Sequence, residues 1–154
     1  MDPRKKPMKL QKASRYALYA VLHLAGDPDR QHSTADIARE YGVSSHHLAK
    51  VMRTLVRSGL IESVRGVGGG YRFAGNVRRT TLWDVIHEFE SLESDIESPD
   101  RLSGNAEIVI SGLDSVHSEI DGLIRSTLDS ITLKTLLRYG VENLEREQRI
   151  AADS

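Results

Sequence analysis

The residues with the clearest chemical potential lie between Arg65 and Arg72, where Gly66, Gly68, Gly69 and Gly70 form a glycine-rich run flanked by two guanidinium groups. Ordering glycine costs backbone entropy, so such a run is expected where the main chain must come close to something. Two ligands suit that description. A nucleotide phosphate would need a Gly-Lys-Ser/Thr ending and a helix opening on the loop, but the following Tyr71-Arg72-Phe73-Ala74 alternates like a strand, and the phosphate-cradling reading fails. A DNA groove needs only an approaching backbone and positive charge, and the run supplies both.

Charge distribution points the same way. The formal net charge is -1, yet residues 1–82 hold 15 Lys+Arg against 6 Asp+Glu and residues 83–154 hold 6 against 16, balances of +9 and -10. A basic half neutralises phosphates and releases their counterions while an acidic half is repelled, which predicts an oriented encounter with nucleic acid. The cations Arg4, Lys5, Lys6, Lys9, Lys12 and Arg15, at the start of the chain, could reach a DNA backbone.

Other chemistries find little support. The chain has no cysteine, hence no disulfide, no thiol nucleophile, no thiolate zinc site and no cysteine-ligated iron-sulfur cluster. The histidines, His23, His32, His46, His47, His87 and His117, show no closely spaced pair in the sequence other than 46 and 47, so no metal site is expected. No nucleophile-base pair or cofactor fingerprint appears, and an enzyme is not predicted. No apolar run reaches the roughly 18 to 20 residues of a membrane span, and MDPRKKPMKLQK leads into an amphipathic segment, which predicts a cytoplasmic protein without membrane partners.

The elements that must position these residues follow from hydrophobic spacing, and the fold class is mainly α. Leu10, Ala13, Tyr16, Ala17, Ala20, Val21 and Leu24 mark a first helix that Gly26-Asp27-Pro28 stops. Two short helices follow, joined at Tyr41-Gly42-Val43-Ser44. The first is capped by Ser33 or Thr34; the second is capped by Ser44 or Ser45 and buries Leu48, Val51, Met52 and Leu55. This is the helix-turn-helix pattern. Leu60 to Val64 and Tyr71 to Ala74 then read as a β-hairpin wing around the glycine run.

Thr81 with Asp84 spells a capping box, opening a helix with Leu82, Val85, Ile86 and Phe89 inward; Trp83 is read as packing. Residues 91–104, acidic and serine-rich, are read as a loop. Val109, Leu113, Val116, Ile120, Leu123 and Ile124 form one stripe of a long helix within 105–139. The stripe is expected to pair with the same helix of a second subunit, aided by Gly112 and Gly122, the alternative being packing against its own first domain. A short helix with Ile131, Leu133, Leu136 and Leu137 follows, and residues 140–154 read as a charged tail.

The stretches SRYALYAVLHLA, IAREYGVSSHHLAKVMRTLVRSGLI, SVRGVGGGYRFA and TTLWDVIHEFE together resemble the Rrf-two family of bacterial regulators, the group that contains IscR, NsrR and CymR. The resemblance runs from Leu10 to about Glu90, its motifs covering roughly half the chain, and the winged domain is placed at residues 8–90. It implies a winged helix-turn-helix homodimer that binds double-stranded DNA, probing the major groove with its recognition helix and the minor groove with a wing arginine. Those roles fall on Ser44, Ser45, His46, His47 and Lys50, and on Arg65 with Gly68, Gly69 and Tyr71 of the wing, while Arg53 and Arg57 are placed to contact phosphates. Cluster-binding members carry three cysteines in the loop that matches SLESDIESPDRLSGN here, so the resemblance implies a member without the iron-sulfur cluster. Such members respond to a regulatory protein or a small-molecule effector; His87 and His117 are read as satisfied or exposed histidines in preference to proton or metal sensors. A winged helix used only to dock another protein is the rival expectation, distinguishable by weak salt dependence.

Overall fold

The computed structural model describes residues 10–90 and 104–152. The basic arm from Arg4 to Lys9 and the acidic loop up to Ser103 lie outside the described residues, as do the last two residues of the chain.

Helix α1 (Lys12–Gly26) buries Tyr16, Ala17, Ala20, Val21 and Leu24 and stops where Asp27 and Pro28 break its periodicity. Helix α2 (Thr34–Glu40) is capped by Ser33, whose hydroxyl accepts from the Asp36 amide at 3.1 Å. A tight turn follows in which Gly42 takes φ +61° and the Val43 amide bonds back to the Ala38 carbonyl at 2.9 Å. Helix α3 (Ser45–Arg57) starts at the cap Ser44 and turns Leu48, Val51, Met52 and Leu55 into the core. Of the alternative caps, Ser33 and Ser44 hold the positions.

Strands β1 (Ile61–Val64) and β2 (Gly70–Phe73) form an antiparallel hairpin in the register Ile61 with Phe73, Glu62 with Arg72, Ser63 with Tyr71 and Val64 with Gly70. Ile61 and Phe73 anchor its base in the core. Helix α4 (Leu82–Ile86) carries the predicted capping box: Thr81 Oγ1 accepts from the Asp84 amide at 3.3 Å and the Asp84 carboxylate accepts from the Thr81 amide at 2.8 Å. Val85 and Ile86 complete the same hydrophobic cluster, while Phe89, past the helix end, is partly buried against it.

Helix α5 (Asn105–Asp129) has 25 residues, about 37 Å at 1.5 Å per residue, and buries none of them. Its end is stitched to the winged domain. The Leu82 amide donates to the Ile131 carbonyl, the Leu133 amide to the Thr80 carbonyl and the Lys134 amide to the Val77 carbonyl, each at 2.9 Å. Trp83 stacks on His87 at 5.4 Å between centroids and receives the Arg125 guanidinium over its ring at 5.3 Å, linking α4 to α5. Trp83 is therefore a packing residue.

One sequence expectation is corrected. The segment expected to be a short helix followed by a charged tail is a single helix, α6 (Leu133–Ala152), in which only Leu133 is buried. Its second half is built from strong helix formers, Glu, Leu, Arg and Gln, and Leu137, Val141 and Leu144 keep helical spacing through the charges. Charge there marks a solvated helix face and not loss of helix.

The candidate nucleic-acid interface

The face of α3 opposite the core presents Ser45, His46, His47, Lys50, Arg53 and Arg57, all exposed. Their position follows from the cap: Ser44 Oγ accepts from the His47 amide at 3.3 Å, which starts the helix there and sets Ser45 to His47 in its first turn. With its lone pair so engaged, the Ser44 hydroxyl keeps its own hydrogen to donate outward. A helix N-terminus also carries the positive end of the backbone dipole and suits a phosphate approaching this turn.

The other half of α3 faces the wing. Lys50, Arg53, Thr54 and Arg57 share with Ser63 and Tyr71 an open groove of about 420 Å³. Three cationic side chains from the helix and two hydroxyls from the hairpin thus line one concavity, on the same surface as the first turn of α3. The Arg57 guanidinium donates to Thr54 Oγ1 at 3.2 Å, which holds it along the helix. A polyanion laid in this groove would meet donors from both elements.

The two wing arginines differ in availability. Cross-strand pairing in the hairpin register sets Arg72 against Glu62, and the two form an ion pair. Arg65, beyond the end of β1, forms no ion pair with any described residue and stands exposed beside the tip. The tip itself is Gly66-Val67-Gly68, with φ of +116° and +74° at the two glycines and Val67 fully exposed. Val67 escaped the sequence reading. Its signal was an apolar side chain between two turn glycines, where no core could receive it.

The glycine run has a second explanation that the sequence did not reveal. A Cβ on Gly69 would lie 2.5 Å from the Val64 carbonyl oxygen, and one on Gly70 would lie 2.7 Å from the carbonyl oxygen of His32. Both glycines are therefore demanded by contacts inside the protein. Gly66 and Gly68 stand exposed at the tip, with Gly69 and Tyr71 half-buried behind them.

The reading of the histidines also changes. His23 and His32, nine residues apart, meet in space: His23 Nε2 lies 3.0 Å from His32 Nδ1. Burial, and after it the neighbouring His32, lowers the His23 pKa from its ordinary value. Among the described residues no group of three or more histidines and carboxylates is arranged to hold a metal ion. A cluster held by cysteine thiolates has no ligand anywhere in the chain. Also among the described residues, no helix is long and apolar enough to cross a membrane.

Comparison with known proteins gives one consistent result. Residues 10–139 match the family model Rrf2, described as an iron-dependent transcriptional regulator. A protein of Rhodopseudomonas palustris named as an HTH-type transcriptional regulator, BadM, is 50% identical over 135 residues, covering 86% of this chain and 83% of that one. Among solved structures, IscR of T. potens superposes with a TM-score of 0.69 at 27% identity, covering 86% of this chain and 88% of the other. CymR, the global cysteine regulator of B. subtilis, gives 0.68 at 26% identity, covering 86% of this chain and 98% of that chain.

Proposed function

The chain belongs to the Rrf2 family of DNA-binding transcription regulators, and from that premise we propose that it acts as a cytoplasmic homodimeric repressor whose recognition helix α3 enters the major groove while Arg65 reaches the adjacent minor groove. The observation that carries this reading is the shared groove: Lys50, Arg53 and Arg57 of α3 and Ser63 and Tyr71 of the hairpin line one surface. In this arrangement Ser44, Ser45, His46 and His47 face base edges, and Arg53 and Arg57 fix register through phosphates. Val67 of the tip touches sugar or the groove wall. Dimerisation is supported by α5, whose stripe of Val109, Leu113, Val116, Ile120 and Leu123 lies exposed with no described part of the same chain covering it. Exposed apolar stripes of this length belong to interfaces.

The regulator works without an iron-sulfur cluster. Anaerobically purified protein is expected to lack the visible absorption of such a cluster and to bind DNA unchanged after iron chelation; a cluster band would overturn this point. A partner protein or small ligand then supplies the signal.

Selection of duplexes retained by the purified protein, followed by sequencing, tests the central claim. Enrichment of a two-fold symmetric site with half-sites about one helical turn apart, or a multiple of it, is expected. Binding should weaken steeply with salt, at a slope near -0.9 for each phosphate neutralised. Retention of no duplex in dilute buffer, with capture of a protein partner instead, would replace this reading by a docking module.

A further inference from the structure

The wing is held on both edges. On one side β2 pairs with β1; on the other, the His32 amide donates to the Tyr71 carbonyl at 3.0 Å and the Tyr71 amide donates to the His32 carbonyl at 2.9 Å. Gly70 packs so closely on that His32 carbonyl that no larger residue fits. Where His32 sits, the hairpin follows. Among the described residues the His32 side chain is in turn held by one hydrogen bond, the 3.0 Å approach to His23 Nε2, with the rings edge to face at 4.4 Å and Tyr41 edge-on to His23 at 5.7 Å.

That contact has strict proton requirements. One nitrogen must carry a hydrogen and the other must be bare. With His23 Nε2–H donating, His32 carries its hydrogen on Nε2, a buried atom with no hydrogen-bond partner among the described residues that faces Asp27 Oδ2 at 3.8 Å. The neutral pair therefore satisfies the contact and directs a donor toward a carboxylate. A single added proton can be housed by keeping one donor and one acceptor in the contact. Two added protons cannot, because both facing nitrogens then carry hydrogen and two cationic rings face each other in a partly buried site.

We propose that the His23–His32 pair is a positioning device for the wing, which it holds when neutral or singly protonated and releases when both rings are charged. The surrounding groups set the balance. Asp27 and Glu40 favour charge on the pair, as does Asp36 beside His32, Arg30 opposes it, and Tyr41 adds an aromatic edge. Burial outweighs the carboxylates at His23, so that ring is neutral in the folded chain over a range where the unfolded chain is protonated. Its contribution to stability is complete above the ordinary value of 6.5 and is lost as pH falls from there through the lowered folded value. The consequence for DNA affinity rests on the proposed role of the wing. Release of the wing in acid is expected to weaken DNA binding.

Amide hydrogen exchange of the full-length protein without DNA tests the device independently of function. Between about pH 7.5 and pH 5.5 the protection factor of the Tyr71 amide is expected to fall about tenfold while amides of α1 hold theirs. In His23→Gln, whose amide still donates to His32 but cannot charge, that fall should vanish. A Tyr71 protection that does not change with pH in the native protein, or that falls equally in the variant, overturns the proposal. The native measurement alone suffices should the variant fail to fold. DNA affinity followed over the same range separates the two claims: release of Tyr71 without weaker binding would sustain the device and remove the wing from the DNA interface.

Discussion

Glutamate at both Val116 and Ile120 is expected to convert the dimer to monomer and to weaken binding of the full operator by at least about 100-fold, because the second half-site then no longer binds within one molecule. The two side chains are 52% and 46% exposed in the protomer, so neither substitution disturbs the core formed by Leu24, Ile37, Leu48, Leu55 and Ile86. In the proposed dimer their cost falls on the contact with a second copy. There a carboxylate would lose water without gaining a partner, on a helix that already carries Asp114, Glu119 and Asp121. Sedimentation equilibrium and binding to selected and half-site duplexes provide the measurement, with far-UV circular dichroism to verify helix content. Ser118→Glu, on the opposite side of α5, should leave assembly and affinity as they are. If the double variant still sediments as a dimer with native affinity, α5 is not the seam and the subunits pair elsewhere.

What could be read in advance was whatever local sequence rules decide. The Thr81 cap, the turn at Gly42 and the 3.6-residue spacing in α1, α3 and α5 each rest on a few neighbouring residues and were legible, while the caps Ser33 and Ser44 were legible to within one residue. The features that escaped depend on contacts across the fold. Nothing local joins His23 to His32, since they sit on either side of the turn after α1 and meet only because β2 draws residue 32 against Tyr71. The same bridge gives Gly70 its reason. Arg72 is an intermediate case: once the hairpin register is known its pairing with Glu62 follows, but the register depends on the anchoring of Ile61 and Phe73 in the core. The continuation of α6 was legible in principle, and its charges outweighed Leu137, Val141 and Leu144 in the reading.

That difference between the two wing arginines yields the second large effect. Arg65→Ala is expected to weaken operator binding by about tenfold per wing, roughly 100-fold per dimer, and to flatten the salt dependence by about two, one unit for each wing. A guanidinium in a narrow minor groove gains from its negative potential, so the variant should also lose its preference for A·T pairs where the wing lies. Arg65→Lys keeps the charge and hence the slope, but a strongly hydrated ammonium cannot replace the planar group in a narrow groove, and the A·T preference should still weaken. Arg72→Ala, by contrast, removes a charge already neutralised by Glu62 and should change the slope little. Glu62→Ala leaves Arg72 unpaired, but its side chain lies on the opposite face of the hairpin from Ser63 and Tyr71 of the groove, and the slope should again change little. Titrations at several salt concentrations with one selected duplex measure all four variants together. An Arg65→Ala protein that keeps the native slope and affinity would mean that the wing tip points away from the duplex, and α3 would then have to account for binding by itself.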